Sequence, residues 1–323
     1  MGEQRRIRFA ADLCTFYAPA FWGAPEGFEM ATILDGRWEP LPFWERILDS
    51  AREAGLDGLE ITFAPGDWHA ATRAYGSAAG FRSALDDRGL ALASGFMSSR
   101  IPGANRYAHL ADAQDRPLLV DMAAAYAEFL AACGAELMVV SLPIRKTRSA
   151  DPPLYVDLGY ASLIADTLNR MGAATLRQGV RLVLHPEAFT AFRSSRDADL
   201  FMLLTDPTYV GMCPDTAQFT VAGSDPLEIV RRHRDRVALT HWKDAVGPAP
   251  LDVPIDDTIF ARQVQWFAGV GTGVVDWPGW LRLLREIGYQ GWAVFELDNA
   301  PDPVAALQAI KRYVEGALLH IYR

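Results

Sequence analysis

Short apolar runs alternate with longer amphipathic stretches from one end of this chain to the other. The runs fall at 6–13, 57–63, 91–97, 136–142, 181–186, 208–213, 236–241 and 291–296. Between and after them, helical spacing of apolar residues covers 41–54, 70–89, 117–133, 158–178, 196–205, 225–233, 277–287 and 302–319. Continuous apolar runs of this length are what strands of a parallel sheet look like when both faces are covered. Eight strands, each followed by a helix, predict an α/β chain closed into a (β/α)8 barrel. No linker-like tract interrupts the alternation, and 323 residues that are 50% hydrophobic suit one core. One domain over residues 1–323 is therefore expected.

Local punctuation agrees with that reading. Asp225-Pro226, Trp277-Pro278 and Asp302-Pro303 place proline in a first helical turn, where a missing N–H is harmless. Gly55, Gly134 and Gly288 stand where helices should end. Phe43, Ile47, Ala51 and Ala54 form a one-sided stripe. Two segments, 14–40 and 244–276, are longer than a barrel needs, and both follow strands. They carry Phe16, Tyr17, Phe21, Trp22, Trp266 and Phe267, which either pack the loops down or stack on a flat ligand such as a sugar ring. Gly269-Val-Gly271-Thr-Gly273 reads as a turn rather than a phosphate loop, because no lysine follows it.

A net charge of −9 makes nucleic acid a poor partner. The three cysteines, Cys14, Cys133 and Cys213, are too scattered for a disulfide framework or a zinc motif. Reduced thiols, no apolar leader and no membrane-length run lead to the expectation of a cytoplasmic protein.

The chemistry sits at the ends of the later strands. Glu187, Asp215, His241 and Glu296 close the fifth, sixth, seventh and eighth runs, separated by 28, 26 and 55 residues. Strand ends on that face are where such barrels build their sites. Three carboxylates and an imidazole there suit one divalent metal ion, Mn2+ first, with Mg2+, Co2+ or Zn2+ as alternatives. A lone acidic residue after a strand is more often a helix cap; four in consecutive units are a metal site. His69, in Gly66-Asp-Trp-His69, follows the second strand and is a candidate pocket residue, although a surface position is the plainer reading. Glu60, inside the second strand, is a buried charge that needs a partner.

His185-Pro-Glu187, Asp215-Thr-Ala-Gln-Phe-Thr-Val-Ala-Gly-Ser-Asp-Pro226, His241-Trp-Lys-Asp244 and Gly288-Tyr-Gln-Gly-Trp-Ala-Val-Phe-Glu296 resemble the xylose-isomerase-like TIM-barrel superfamily. The stretch 180–320 looks most like inosose dehydratases. The resemblance implies a TIM barrel with metal ligands at Glu187, Asp215, His241 and Glu296. It also implies proton-moving carboxylates at Glu187 and Glu296, and a site-lining catalytic His185. Lys243 and Gln218 would meet substrate hydroxyls, with Trp22, Trp266 and His69 as further substrate-binding candidates. Relatives of this kind are often homo-oligomers, some with a second subunit, and the implied ligand is a small-molecule carbohydrate. Gln218 departs from the pattern, since many relatives have histidine there, and an amide cannot act as acid or base.

Polarising a carbonyl makes the neighbouring C–H acidic, and a carboxylate can then remove the proton. Elimination, as in a dehydratase or a C-glycoside-cleaving lyase, is the favoured outcome for a keto-sugar or keto-cyclitol. Isomerisation or epimerisation shares the same first step. A repair endonuclease on the same barrel is disfavoured by the negative charge, and a non-catalytic sugar-binding barrel finds its only support in Gln218.

Overall fold

The computed structural model describes residues 7–24, 39–101, 104, 106–148, 153–298 and 300–322. The part of the long 14–40 segment at 25–38 lies outside the described residues. Strands β1 (Ile7–Asp12), β2 (Gly58–Ile61), β3 (Ala91–Phe96), β4 (Leu137–Val140), β5 (Arg181–Leu184) and β6 (Val210–Met212) pair in parallel, each with the next. β7 (Thr240–Trp242) pairs with β10 (Gly291–Phe295), which pairs with β1. The gap between β6 and β7 is closed by parallel bridges Met212–Val237 and Asp215–His241, with Ala238 N and His241 N donating to Met212 O and Pro214 O at 3.0 Å each. The outcome is the (β/α)8 barrel.

Helices α1 (Pro40–Glu53), α2 (Trp68–Tyr75), α3 (Ala78–Asp86), α4 (Arg116–Ala132), α5 (Leu158–Leu176) and α6 (Ser195–Leu204) wrap the first part of the barrel. The expected helix over 70–89 is two helices. Gly76 ends the first at φ 75°, and the Ser77 side chain caps the second through Gly80 N. The short α7 (Thr216–Val221), which the apolar pattern did not indicate, starts on Asp215, whose carboxylate accepts from Gln218 N. α8 (Pro226–Arg232), α10 (Trp277–Glu286) and α11 (Pro303–Tyr313) begin at the expected Asp-capped, proline-bearing turns. The long segment after β7 is not irregular throughout. β8 (Asp244–Ala245) and β9 (Phe267–Ala268) pair antiparallel, and α9 (Ile259–Arg262) lies between them; α12 (Leu319–Tyr322) closes the chain.

The barrel interior is filled by Ala10, Ala93, Val139, Val183, Cys213, Leu239, Trp292 and Val294. Trp292 reaches across the base, and a Cβ at Gly58 would come within 2.8 Å of its ring and 2.4 Å of Ala91 O, so β2 can pass there only as glycine. Above this apolar layer the inward residues turn polar. The β2–β3 register shifts between Leu59 and Glu60, so Glu60 stands opposite Ser94 instead of Ala93. The shift gives the buried carboxylate a hydroxyl partner, Ser94 Oγ to Glu60 Oε2 at 2.5 Å.

Candidate metal centre and mouth

His185 is the first residue after β5, Asp215 follows β6 by one short turn, His241 lies within β7, and Glu296 is the first residue after β10. One ligand atom from each lies within 4.8 Å of the other three. His241 Nδ1 is 3.1 Å from Glu296 Oε2, and His185 Nε2 is 3.8 Å from Asp215 Oδ2. Asp215 Oδ2 and His185 Nε2, which face each other, are buried and lack a hydrogen-bond partner. Buried polar atoms are rarely left so, and such a facing pair inside the ligand group fits a cation between them. Two imidazoles and two carboxylates form a donor set for a divalent metal.

Glu187, expected in this set, stands outside it. The chain leaves β5 at Leu184, so His185 reaches the ring. Pro186 and the turn closed by Thr190 N donating to Glu187 O carry Glu187 one step further out. Its Oε1 lies 3.4 Å from His185 Nδ1, and its Oε2 accepts from Gln218 Nε2 at 2.8 Å. Gln218 Oε1 in turn accepts from Ala188 N at 2.8 Å. The amide is thus fixed by the backbone with its NH2 toward Glu187. Gln218 is buried and both ends of its amide are engaged inside the protein. His185, expected to line the site and not to ligate, directly follows the apolar run and belongs to the ligand group.

Lys243 is 1% exposed and its Nζ lies 2.7 Å from Glu296 Oε1 and 2.6 Å from Asp298 Oδ2, over the Phe267 ring at 3.9 Å. Cys14, Glu296 and Asp298 also bring ligand atoms together, but the cation at that spot is the ammonium of Lys243. Burial pulls the Lys243 pKa down, yet Asp298 and Glu296 outweigh it and hold the group well above its ordinary value. Burial pushes Glu296 up, and the charge of Lys243 with the His241 hydrogen bond reverses this, leaving it far below the carboxylate range. In Glu187 the balance goes the other way: burial raises it above its ordinary value, against the weaker downward pull of His185 and Lys243. In His185, burial and His241 act downward, but the nearby carboxylates of Asp215 and Glu187 lift the ring to about 10.

The loop after β7 is pinned by Asp244. Its buried carboxylate accepts from Gly271 N and Gly273 N at 3.0 Å, Val275 N at 3.1 Å and Trp277 Nε1 at 2.8 Å. The glycine-rich turn is therefore a wrap around this side chain, and a Cβ on Gly273 would meet Asp244 Oδ1 at 2.4 Å. Trp266 packs on Phe189 with centroids 5.4 Å apart, over the loop that carries Glu187. Two substrate-binding expectations do not meet the site. Trp22 is buried against Phe43 of α1, stacked at 4.9 Å, with Nε1 donating to Phe16 O, because the turn after β1 folds back onto the helix layer. His69 is exposed on α2 and stacks on Trp68, which packs against Tyr126 and Phe129 of α4.

Comparison with known proteins agrees with this geometry. Inosose dehydratase from Lacticaseibacillus casei is 28% identical over 203 residues, covering 59% of this chain and 68% of that protein. Among solved structures, 3-keto-D-glucoside 4-epimerase from E. coli superposes with a TM-score of 0.66 at 16% identity, over 96% of this chain and 99% of that one. The IOLI protein, solved with a zinc atom, does so with a TM-score of 0.66 at 13% identity, over 98% of each chain. The family model for the xylose isomerase-like TIM barrel matches residues 48–316, and this chain belongs to that family.

Proposed function

We propose that this protein is a divalent-metal-dependent enzyme that removes a proton next to the carbonyl of a keto-sugar or keto-cyclitol and then eliminates water. The observation that carries this reading is the pairing of a buried two-histidine, two-carboxylate ring with a separate carboxylate, Glu187, held at its edge. A cation held by His185, Asp215, His241 and Glu296 would polarise a carbonyl and favour negative charge on its oxygen. Two imidazoles move the preference from Mn2+ toward Zn2+ or Co2+.

The chain's own groups divide the remaining work. Glu187, with its raised pKa, takes the proton from the carbon beside the carbonyl. The electrons of that C–H bond become the new C=C bond as the C–O bond on the next carbon breaks. The departing hydroxyl needs a proton donor or a hydrogen-bond donor, and the Lys243 ammonium at the mouth supplies donors there. Phe267 lies against the Lys243 ammonium, and Trp266 packs on Phe189 of the loop that carries Glu187. Glu296 is locked by Lys243 and His241, which leaves a single well-placed base and favours elimination over epimerisation, where two faces must be served.

The similarity to inosose dehydratase supports the same choice. Among the described residues no helix is long and apolar enough to cross a membrane, and we read the protein as cytoplasmic and homo-oligomeric. The test is incubation with a keto-cyclitol in D2O after loading with Zn2+, Co2+ or Mn2+. Growth of an unsaturated-ketone absorbance supports dehydration. Deuterium exchange or a changed configuration without that absorbance selects epimerisation instead. Inactivity with every metal overturns the reading.

A further inference from the structure

The loops that follow β4 and β5 carry two arginines, Arg145 and Arg193, that form no ion pair with any of the described residues. These loops run side by side: Ile144 bridges Thr190 antiparallel, Arg145 N donates to Phe189 O and Ala191 N to Pro143 O, both at 2.9 Å. Arg145 and Arg193 are each half-buried, and the Nε of each is shielded from water without a hydrogen-bond partner. Among the described residues neither guanidinium joins an ion pair or a hydrogen bond. Arg193 feels the neighbouring charge, since burial and Arg145 together lower its pKa.

Acid is not scarce in this chain, with 40 Asp and Glu against 31 Lys and Arg. Buried Arg236, by contrast, is well served: it donates to Val210 O, Met202 O and Thr205 Oγ1. Asp197 attracts Arg193 but is committed to the α6 cap, accepting from Ser194 Oγ at 2.7 Å and Arg196 Nη1 at 3.1 Å. The adjacent cation, Lys146, already pairs with Asp257 at 2.8 Å. Like charges held together in a partly dry place are unfavourable unless a counter-ion completes them. Planar guanidiniums with unspent donors match a carboxylate or phosphate in a bidentate manner. The position fits the mouth, because Phe189, whose carbonyl receives the Arg145 N–H, also packs on Trp266.

We propose that Arg145 and Arg193 form an oxyanion-binding site on the rim of the pocket, taking the carboxylate or phosphate group of an acidic ligand. Assigning that ligand as the substrate rests on the function proposed above; the anion site itself needs no metal. The test is therefore run on the full chain stripped of divalent metal. Calorimetry with glucose 6-phosphate and with quinate, each against its uncharged counterpart glucose or inositol, reads the anion's contribution.

At least one anion is expected to bind more tightly than its counterpart, and Arg145→Gln and Arg193→Gln each weaken that binding by about tenfold or more. Arg170→Gln, on the exposed outer face of α5, leaves it unchanged. Preference for glucose 6-phosphate assigns phosphate as the group recognised, and preference for quinate assigns carboxylate. Melting curves give the second readout. Inorganic phosphate should raise the melting temperature of the parent but not of Arg145→Gln, whose own melting temperature without anion is expected not to fall. Binding of neither organic anion, or equal binding in both variants, overturns the site. So does a marked loss of stability in both variants without anion, which would make the pair structural.

Discussion

Glu60 Oε1 lies 3.1 Å from His241 Nε2, on the opposite side of the ring from Glu296 Oε2, which is 3.1 Å from Nδ1. One imidazole thus stands between an inner carboxylate and an outer one buried at the level of β2. Ser94 fixes the outer carboxylate, and Asp12 beside it is pushed well up by burial and by Glu60 and Glu296. An outer carboxylate of this kind sets the tautomer and makes the ligating nitrogen more basic. Glu60→Gln keeps the shape and removes the charge. Its expected effect is a loss of metal affinity of about 10–100-fold, read by competition with a chelator. Unchanged affinity would remove Glu60 from the metal's support.

His185 and Glu187, two residues apart, are expected to fail in different ways. His185→Ala removes a ring ligand, so bound metal should drop steeply along with activity. Glu187→Gln should retain metal at the parent stoichiometry while kcat falls by about 10²–10⁴, the range for losing a general base. Metal analysis beside turnover distinguishes them. Equal metal loss in both variants would return Glu187 to the ligand set.

Much of this was legible in the sequence, for a physical reason. Buried parallel strands must be apolar on both faces, so eight of them stand out, and capped helix starts such as Asp225-Pro226 and Asp302-Pro303 can be read locally. Where a strand ends is less visible. The run to Glu187 looked continuous, but pairing stops at Leu184 and a turn follows, so the side chain entering the ring is His185. The apolar run ending at His241 suggests a strand end, but His241 lies inside β7, because residues 234–236 form a turn that delays the strand. Long-range partners left no local trace. Nothing near Gln218 indicates that it is spent on Glu187 and Ala188, and nothing near Trp22 indicates that it packs on Phe43.

Asp244 offers a test of the mouth as a mechanical unit. Three backbone N–H groups and an indole N–H from 271–277 converge on its carboxylate. Asp244→Ala leaves these donors without a buried acceptor, and unfolding stability is expected to fall by about 3 kcal/mol or more, as for several bonds to one charged group. Because Lys243 and Phe267 hang on the same segment, substrate KM should also rise. Urea unfolding together with steady-state kinetics reads both effects. A variant of parent stability would show that the turn holds itself.

The pH dependence of the metal-free protein follows from His185. Its folded pKa is raised to about 10, while an unfolded histidine titrates near ~6.5. A raised pKa means that the folded state binds the proton more tightly. The resulting stability is fully present below the unfolded value and is lost as pH rises toward the folded one. Between pH ~6.5 and ~10 the melting temperature of metal-free protein should therefore decline. A divalent cation must displace that proton, so its binding should release protons and tighten as pH rises through the same window. Added Zn2+ should flatten the melting profile. Calorimetry in buffers of different ionisation enthalpy counts the protons released. A flat metal-free profile, or metal binding without proton release at pH 7, would mean that the His185 ring is neutral before the metal arrives.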